Sequence, residues 1–122
     1  MTESSQVWQV ARDHLRPYGR IQRLENRLEE GWPDCIYTFR GVTGFMELKL
    51  IPGAPFTREQ CMWGEAEVAV GGRWHLLARR GKEWLLMNTI QARAWFEGAP
   101  PQGIVQQTGT FPTREILKEL TR

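Results

Sequence analysis

An aspartate, a glutamate and a lysine fall close together in the stretch GWPDCIYTFRGVTGFMELKL, residues 31–50. Asp34 stands behind Pro33 at the mouth of one apolar, strand-like run. Glu47 and Lys49 stand inside a second. Charge on a buried strand face is costly unless it is paired or bound to metal, so these residues are either a solvated face or a site. Side chains two apart on a strand share a face, which groups Glu47 with Lys49 and turns Met46, Leu48 and Leu50 toward the core. Two carboxylates held close repel unless a divalent cation sits between them. Hard cations such as magnesium take oxygen from one or two carboxylates plus substrate phosphates. A lysine beside them can orient a phosphate or lower the cost of forming hydroxide. Those are the parts that phosphodiester hydrolysis needs. A Glu-x-Lys pair alone is usually a solvated face. The Pro-Asp upstream, a turn between and basic clusters nearby favour a site.

Positioning these groups takes a hairpin. DCIYTFR (34–40) is rich in strand-forming residues, GVTG (41–44) is a turn signal, and FMELKL (45–50) is the return strand. Ahead of it, SSQVWQVARDHLRPYG reads as a helix, with Val7, Trp8, Ala11 and Leu15 at helical spacing. Ser4 or Ser5 can cap it, and Pro17 and Gly19 stop it. RIQRLEN (20–26) reads as a short strand and RLEEGWP (27–33) as a loop. Beyond IPGAP, TREQCMWGEAEVAV (57–70) is a second helix with Thr57 at its N-cap. Thr57-x-x-Gln60 is also a capping-box pattern. RWHLLAR (73–79) and EWLLM (83–87) are strands around the turn RGK. NTIQARAWF (88–96) is a helix capped by Asn88. EGAPPQG is a loop, IVQQTGTFP is irregular or a weak strand, and TREILKELTR is a terminal helix capped by Thr113. The order implies an α/β domain with a central mixed β-sheet flanked by helices. One domain is expected over residues 1–122, with a core at about 5–97 and a C-terminal extension at 98–122.

With 41% hydrophobic and 25% charged residues the chain reads as soluble and globular. No apolar run approaches the length of a membrane span, so no membrane partner is expected. The N-terminus lacks the pattern of a secretory signal. Cys35 and Cys61 read as buried thiols of a reducing cytoplasm rather than a disulfide framework or a zinc site. Net charge is only +2, but Arg16, Arg20, Arg23 and Arg27 cluster, as do Arg73, Arg79, Arg80 and Lys82. Such clusters suit a polyanion, with an ordinary solvated surface the alternative. Arg20, Arg23, Arg27, Arg79, Arg80 and Lys82 are the candidate DNA contacts. His14 and His75 read as surface or packing residues.

Pro33-Asp34 followed by Glu47-Leu48-Lys49 resembles the PD-(D/E)XK nuclease superfamily. The fuller run from Gly31 to Lys49 looks like the VRR-NUC branch and related small phage-encoded nucleases. RLEN (23–26) resembles an Arg-Ile-Glu-Asn element of phage relatives, and REQCMW (58–63) resembles the helix that carries a glutamine and an aromatic. The likeness covers about residues 20–87. It implies a restriction-endonuclease-like core and a magnesium-dependent DNA endonuclease, with manganese as the substitute ion. Asp34, Glu47 and the Leu48 carbonyl would bind metal, Lys49 would position or activate the attacking water, and Gln60 would approach from the second helix. Many superfamily members carry a further acid on the first helix. Glu3 stands too near the terminus, and Asp13 is flanked by Arg12 and His14. Glu25 is the better candidate, with an ion pair to Arg23 or Arg27 as its alternative. The number of metals stays open. Structure-directed or junction-resolving cleavage fits the resemblance and would call for a symmetric homodimer presenting two sites. The setting would be the cytoplasm, that of the host if the chain is phage-encoded. The rival reading is a non-catalytic nucleic-acid-binding or protein-interaction module, such as an inhibitor, on the same fold.

Overall fold

Six strands run in chain order across one sheet: β1 (Gly19–Arg23), β2 (Cys35–Phe39), β3 (Val42–Ile51), β4 (Trp74–Arg80), β5 (Glu83–Met87) and β6 (Val105–Thr108). They come from a computed structural model that describes residues 2–25 and 30–122. Every neighbouring pair is antiparallel except β3 with β4, which is parallel. A parallel pair needs a crossover, and α2 (Arg58–Ala69) supplies it. The β2–β3 hairpin turns on Arg40 and Gly41, with φ of 52° and 77°. Two successive positive φ values match the right-handed twist of the flanking strands. The expected turn over residues 41–44 is therefore one residue late, and Val42 to Gly44 already belong to β3. Gly44 is needed there because the Tyr37 ring crosses the strand where a Cβ would stand.

Alternation along the strands divides the core in two. On one face Met46, Leu48, Leu77 and Leu86 meet Val7, Trp8, Ala11 and Leu15 from the N-terminal helix and Ile116, Leu117 and Leu120 from α4 (Thr113–Leu120). That N-terminal helix begins as a π-helical turn, Ser4–Trp8, and continues as α1 (Gln9–Leu15). On the other face Trp74, Leu76, Ala78, Leu85 and Met87 meet Phe56, Cys61 and Ala92, carried by α2, α3 (Thr89–Phe96) and the segment ahead of α2. Gly64 lets α2 lie directly on the Trp74 indole, where a Cβ would collide. The result is three layers, with the mixed sheet between two helical layers, as expected.

Several boundaries differ from expectation. The first helix is tied by Thr2 and Ser5, whose backbone N–H groups each donate to the other's hydroxyl at 3.2 Å, rather than by Ser4 or Ser5 alone. Thr113 lies inside α4, which has no side-chain cap. β1 stops at Arg23, although Leu24 still donates to the Asp34 carbonyl at 2.8 Å. Asn26 and Arg27 lie outside the described residues. The stretch at 98–122 gives the sheet its sixth strand and the core three buried side chains from α4, so it packs as part of the same body. Cys35 and Cys61 are both buried and unpaired with each other. Among the described residues no helix is long and apolar enough to cross a membrane.

Candidate active site

The β2–β3 ladder ends where Cys35 faces Met46. One step beyond, Asp34 replaces strand with side chain: its Oδ2 accepts the Leu48 backbone N–H at 2.8 Å. In an extended strand a residue's C=O points to the same side as its N–H, so the Leu48 carbonyl faces Asp34 past the end of β2. The turn before Asp34 is held against α2. Gly31 has φ of 87°, and a Cβ there would strike the Glu59 carbonyl. The indoles of Trp32 and Trp63 meet at 5.4 Å in the same contact. The glycine, proline and aspartate of GWPD thus have separate tasks: close approach to a helix, a fixed φ, and a carboxylate aimed at β3.

Glu47 and Lys49 share a face, as their spacing requires, but the face is not open. Glu47 is completely buried and Lys49 is 4% exposed. Phe45 and Ile51 on the same face pack into the core cluster that α2 covers. The carboxyl groups of Asp34 and Glu47 lie close enough to share a proton. Burial first, then Asp34 through its hydrogen bond and its charge, push the Glu47 pKa from its ordinary 4.5 up to about 10. Lys49 pulls it down and Glu3 raises it further. Glu47 Oε1 accepts from Gln60 Nε2 at 3.3 Å. Its Oε2 is buried, and among the described residues no N–H or O–H reaches it. An acceptor left so is costly unless a proton or a cation fills the gap.

Gln60 serves two elements at once. Its Oε1 accepts the Thr57 N–H at 2.9 Å and its own N–H goes to Thr57 Oγ1 at 3.2 Å, which completes the capping box of α2. Its Nε2 is left for Glu47. Capping and site contact therefore coexist on different atoms. Lys49 Nζ donates to the Pro55 carbonyl at 3.1 Å, tying β3 to the Pro-rich loop ahead of α2. The donor set suits a small hard cation: two carboxylates, one with an unmet buried oxygen, and a backbone carbonyl on the same side. Among the described residues no three His, Cys, Asp or Glu side chains converge as a ready-made cage.

Glu25 follows Leu24, which bonds the Asp34 backbone, and lines a cleft of about 570 Å³ with Trp8, Gln22, Arg23, Leu24 and Trp32. The charges that act on Glu47 are those of Asp34, Lys49 and Glu3. Glu3 is thus a residue that sequence reasoning set aside as frayed. The signal in the sequence is the Thr2-x-x-Ser5 spacing, whose hydroxyls accept each other's backbone N–H and hold the turn that carries Glu3. Asp13 pairs with its neighbour Arg12.

The candidate DNA contacts separate by position. Arg23 ends β1 opposite Cys35, at the Asp34 end of the sheet, and its guanidinium lies 5.7 Å from the Trp8 ring. Arg20 pairs with Thr38, toward the opposite end. Arg79 donates to the Gln6 carbonyl at 2.9 Å and stacks 4.8 Å from the Trp84 ring. Arg80 is paired with Glu83 at 2.6 Å. Lys82 is exposed in the turn after β4. Arg27 lies outside the described residues. His14 bonds the Val10 carbonyl through Nδ1 at 2.8 Å. His75 is buried 4.0 Å from Glu119, where protonation would make an ion pair. Burial, aided by the Arg73 charge, instead holds it neutral, with its pKa lowered to about 4.

A solved structure described as a VRR_NUC domain is similar in fold. Its TM-score is 0.52 at 20% identity, covering 82% of this chain and 100% of that chain. No family model matches the sequence, and no curated protein matches it. At that identity the likeness concerns architecture: this chain has a restriction-endonuclease-like α/β fold of the VRR-NUC kind. The fold neighbour bears the domain name that Pro33-Asp34, Glu47-Leu48-Lys49 and their flanking elements resemble.

Proposed function

We propose that this chain is a metal-dependent DNA endonuclease, with Asp34 and Glu47 as its metal-binding carboxylates. The observation that carries the reading is the buried carboxyl pair, one oxygen of which no protein donor reaches. A fold gains nothing in stability from such a pair, since burying two acids together costs more than an apolar pair would. Magnesium, or manganese in its place, fits the oxygen set, with the Leu48 carbonyl beside it. Bound there, the ion supplies a Lewis acid for a phosphoryl oxygen and lowers the pKa of water. The chain's own residues do the rest. Asp34 and Glu47 exchange their shared proton for the cation. Gln60 fixes the Glu47 rotamer from α2. Lys49 holds a positive charge beside the pair, where it orients the attacking water or the phosphate. Glu3, at the N-cap of the first helix, is an acid in electrostatic reach of Glu47. Structure-directed cleavage and a dimer with two sites extend the same reading.

Single-turnover cleavage of supercoiled, linear, single-stranded and four-way-junction DNA with magnesium tests it. Wild type should cut at least one of these. Glu47→Gln should abolish cutting while DNA binding holds, because it removes a carboxylate that can trade its proton for a cation and leaves the shape of the site in place. Lys49→Met keeps the buried stem and removes the charge, and should slow cutting by about two orders of magnitude. Cleavage by Glu47→Gln at the wild-type rate would leave the carboxyl pair without a catalytic role. No cleavage by wild type on any substrate would favour the non-catalytic binding module.

A further inference from the structure

The cleft beside Asp34 is not used by the chemistry above. Arg23 and Leu24 form one side, and Leu24 is bonded directly to the Asp34 backbone. Trp32, two residues ahead of Asp34, forms another. Its volume of about 570 Å³ lies within the usual range of small-molecule sites. Apart from Leu24, the described residues of its wall are flat π surfaces and polar groups. Trp8 and Trp32 present indoles, and the Arg23 guanidinium lies over the Trp8 ring. Gln22 brings an amide and Glu25 a carboxylate. The Trp32 indole N–H is buried, and among the described residues it has no acceptor. A phosphate does not suit this lining, because the Glu25 charge opposes the Arg23 charge. A neutral planar ring with donors and acceptors on its rim does suit it.

We propose that this cleft seats one unpaired nucleobase of the nucleotide next to the scissile phosphate, stacked on Trp32 and the Arg23 plane. The inference rests on the nuclease reading for its substrate and names that substrate's class: DNA with a base free to leave the stack. A base inside a fully paired duplex cannot reach a pocket of this kind without first being flipped out. Splayed bases are commonly held by stacking on aromatic and guanidinium planes with polar contacts at their edges. Gln22 and Glu25 stand where the base edge would lie. The short link from Leu24 to Asp34 puts the seat within one nucleotide's reach of the carboxyl pair. The cleft would thus select flaps, bulges or single strands over intact duplex.

Fluorescence anisotropy in EDTA reads this without cleavage. The probes are a labelled duplex, the same duplex with a one-nucleotide bulge, and that bulge made abasic. Wild type should bind the bulge about tenfold tighter than the duplex, the scale of one base–aromatic stack. The abasic bulge should lose that advantage, with no change to the protein required. Trp32→Ala should bring the bulge-to-duplex ratio toward one, and Trp32→Phe should restore most of it. Equal binding of the abasic and base-containing bulges overturns the proposal, as does a ratio unchanged in a folded Trp32→Ala. Failure of the nuclease reading would show separately, as absent magnesium-dependent cleavage with the base preference intact. Cleavage without any base preference sinks the cleft alone.

Discussion

At the scale of single residues, Glu47 governs the behaviour of the metal-free protein. Its carboxyl is ordinary when unfolded, near 4.5, and is raised to about 10 in the fold. The native state therefore holds a proton that the unfolded chain gives up across that window. Stability from this group is fully present below about pH 4.5 and drains away as pH rises toward 10. One such proton sets a slope of at most about 1.4 kcal/mol per pH unit. Urea denaturation of the metal-free wild type between pH 5 and 9 should accordingly show stability falling with pH. Glu47→Gln, which keeps the shape and cannot ionise, should flatten that decline and raise stability at neutral pH. Magnesium should reverse the trend in wild type, since metal displaces the proton and binds better as pH rises. A decline equally steep in Glu47→Gln would mean that another group carries the proton.

At the scale of elements, α2 does most to turn three charged residues into a site. Its capping box fixes Gln60, and Gln60 fixes Glu47. Thr57→Ala should cost about 1 kcal/mol by loss of the cap. Gln60→Ala removes the other half of the same box, so the double variant should cost less than the two single costs summed, by about 0.5 kcal/mol or more. Denaturation of the four proteins measures this, and strict additivity would show that the cap and the side chain act apart. The elements also show what the sequence could convey. Period-two alternation in FMELKL put Glu47 with Lys49 and Leu48 with the core, because a strand leaves no other arrangement. It could not show what covers the charged face, since Phe56 and α2 arrive from the following segment. That covering decides between a solvated face and a site, and it leaves Lys49 buried. β6 was hard to read for a related reason. Its Gln-Gln centre has weak strand preference, and pairing with β5 decides its state. RIQRLEN reads as a strand past Arg23, but β1 ends there and Leu24 keeps one strand-like bond to Asp34.

At the scale of the molecule, the basic clusters that read alike in sequence become two populations. The strand register puts the C-terminal ends of β1, β3 and β4 and the start of β2 at one end of the sheet, and the carboxyl pair lies there. Lys82, in the turn after β4, is exposed at that end. Arg79 is a strut: its bonds to Gln6 and Gly81 and its stack on Trp84 tie the N-terminal helix to the sheet. A guanidinium already held by two carbonyls and a ring has little to offer a phosphate. The two residues should therefore part company in a salt titration of DNA affinity. Each phosphate contact contributes a slope of roughly −0.9 in log affinity against log salt on duplex DNA. Lys82→Gln should make the slope shallower by about that amount and leave stability within about 0.5 kcal/mol of wild type. Arg79→Gln should leave the slope unchanged and cost about 1–3 kcal/mol of stability, because two carbonyls lose a charged donor and Trp84 its stacked cation. Anisotropy at several salt concentrations, paired with urea melts, separates the roles. An Arg79→Gln protein of wild-type stability with a shallower slope would place that arginine on DNA and make the strut incidental.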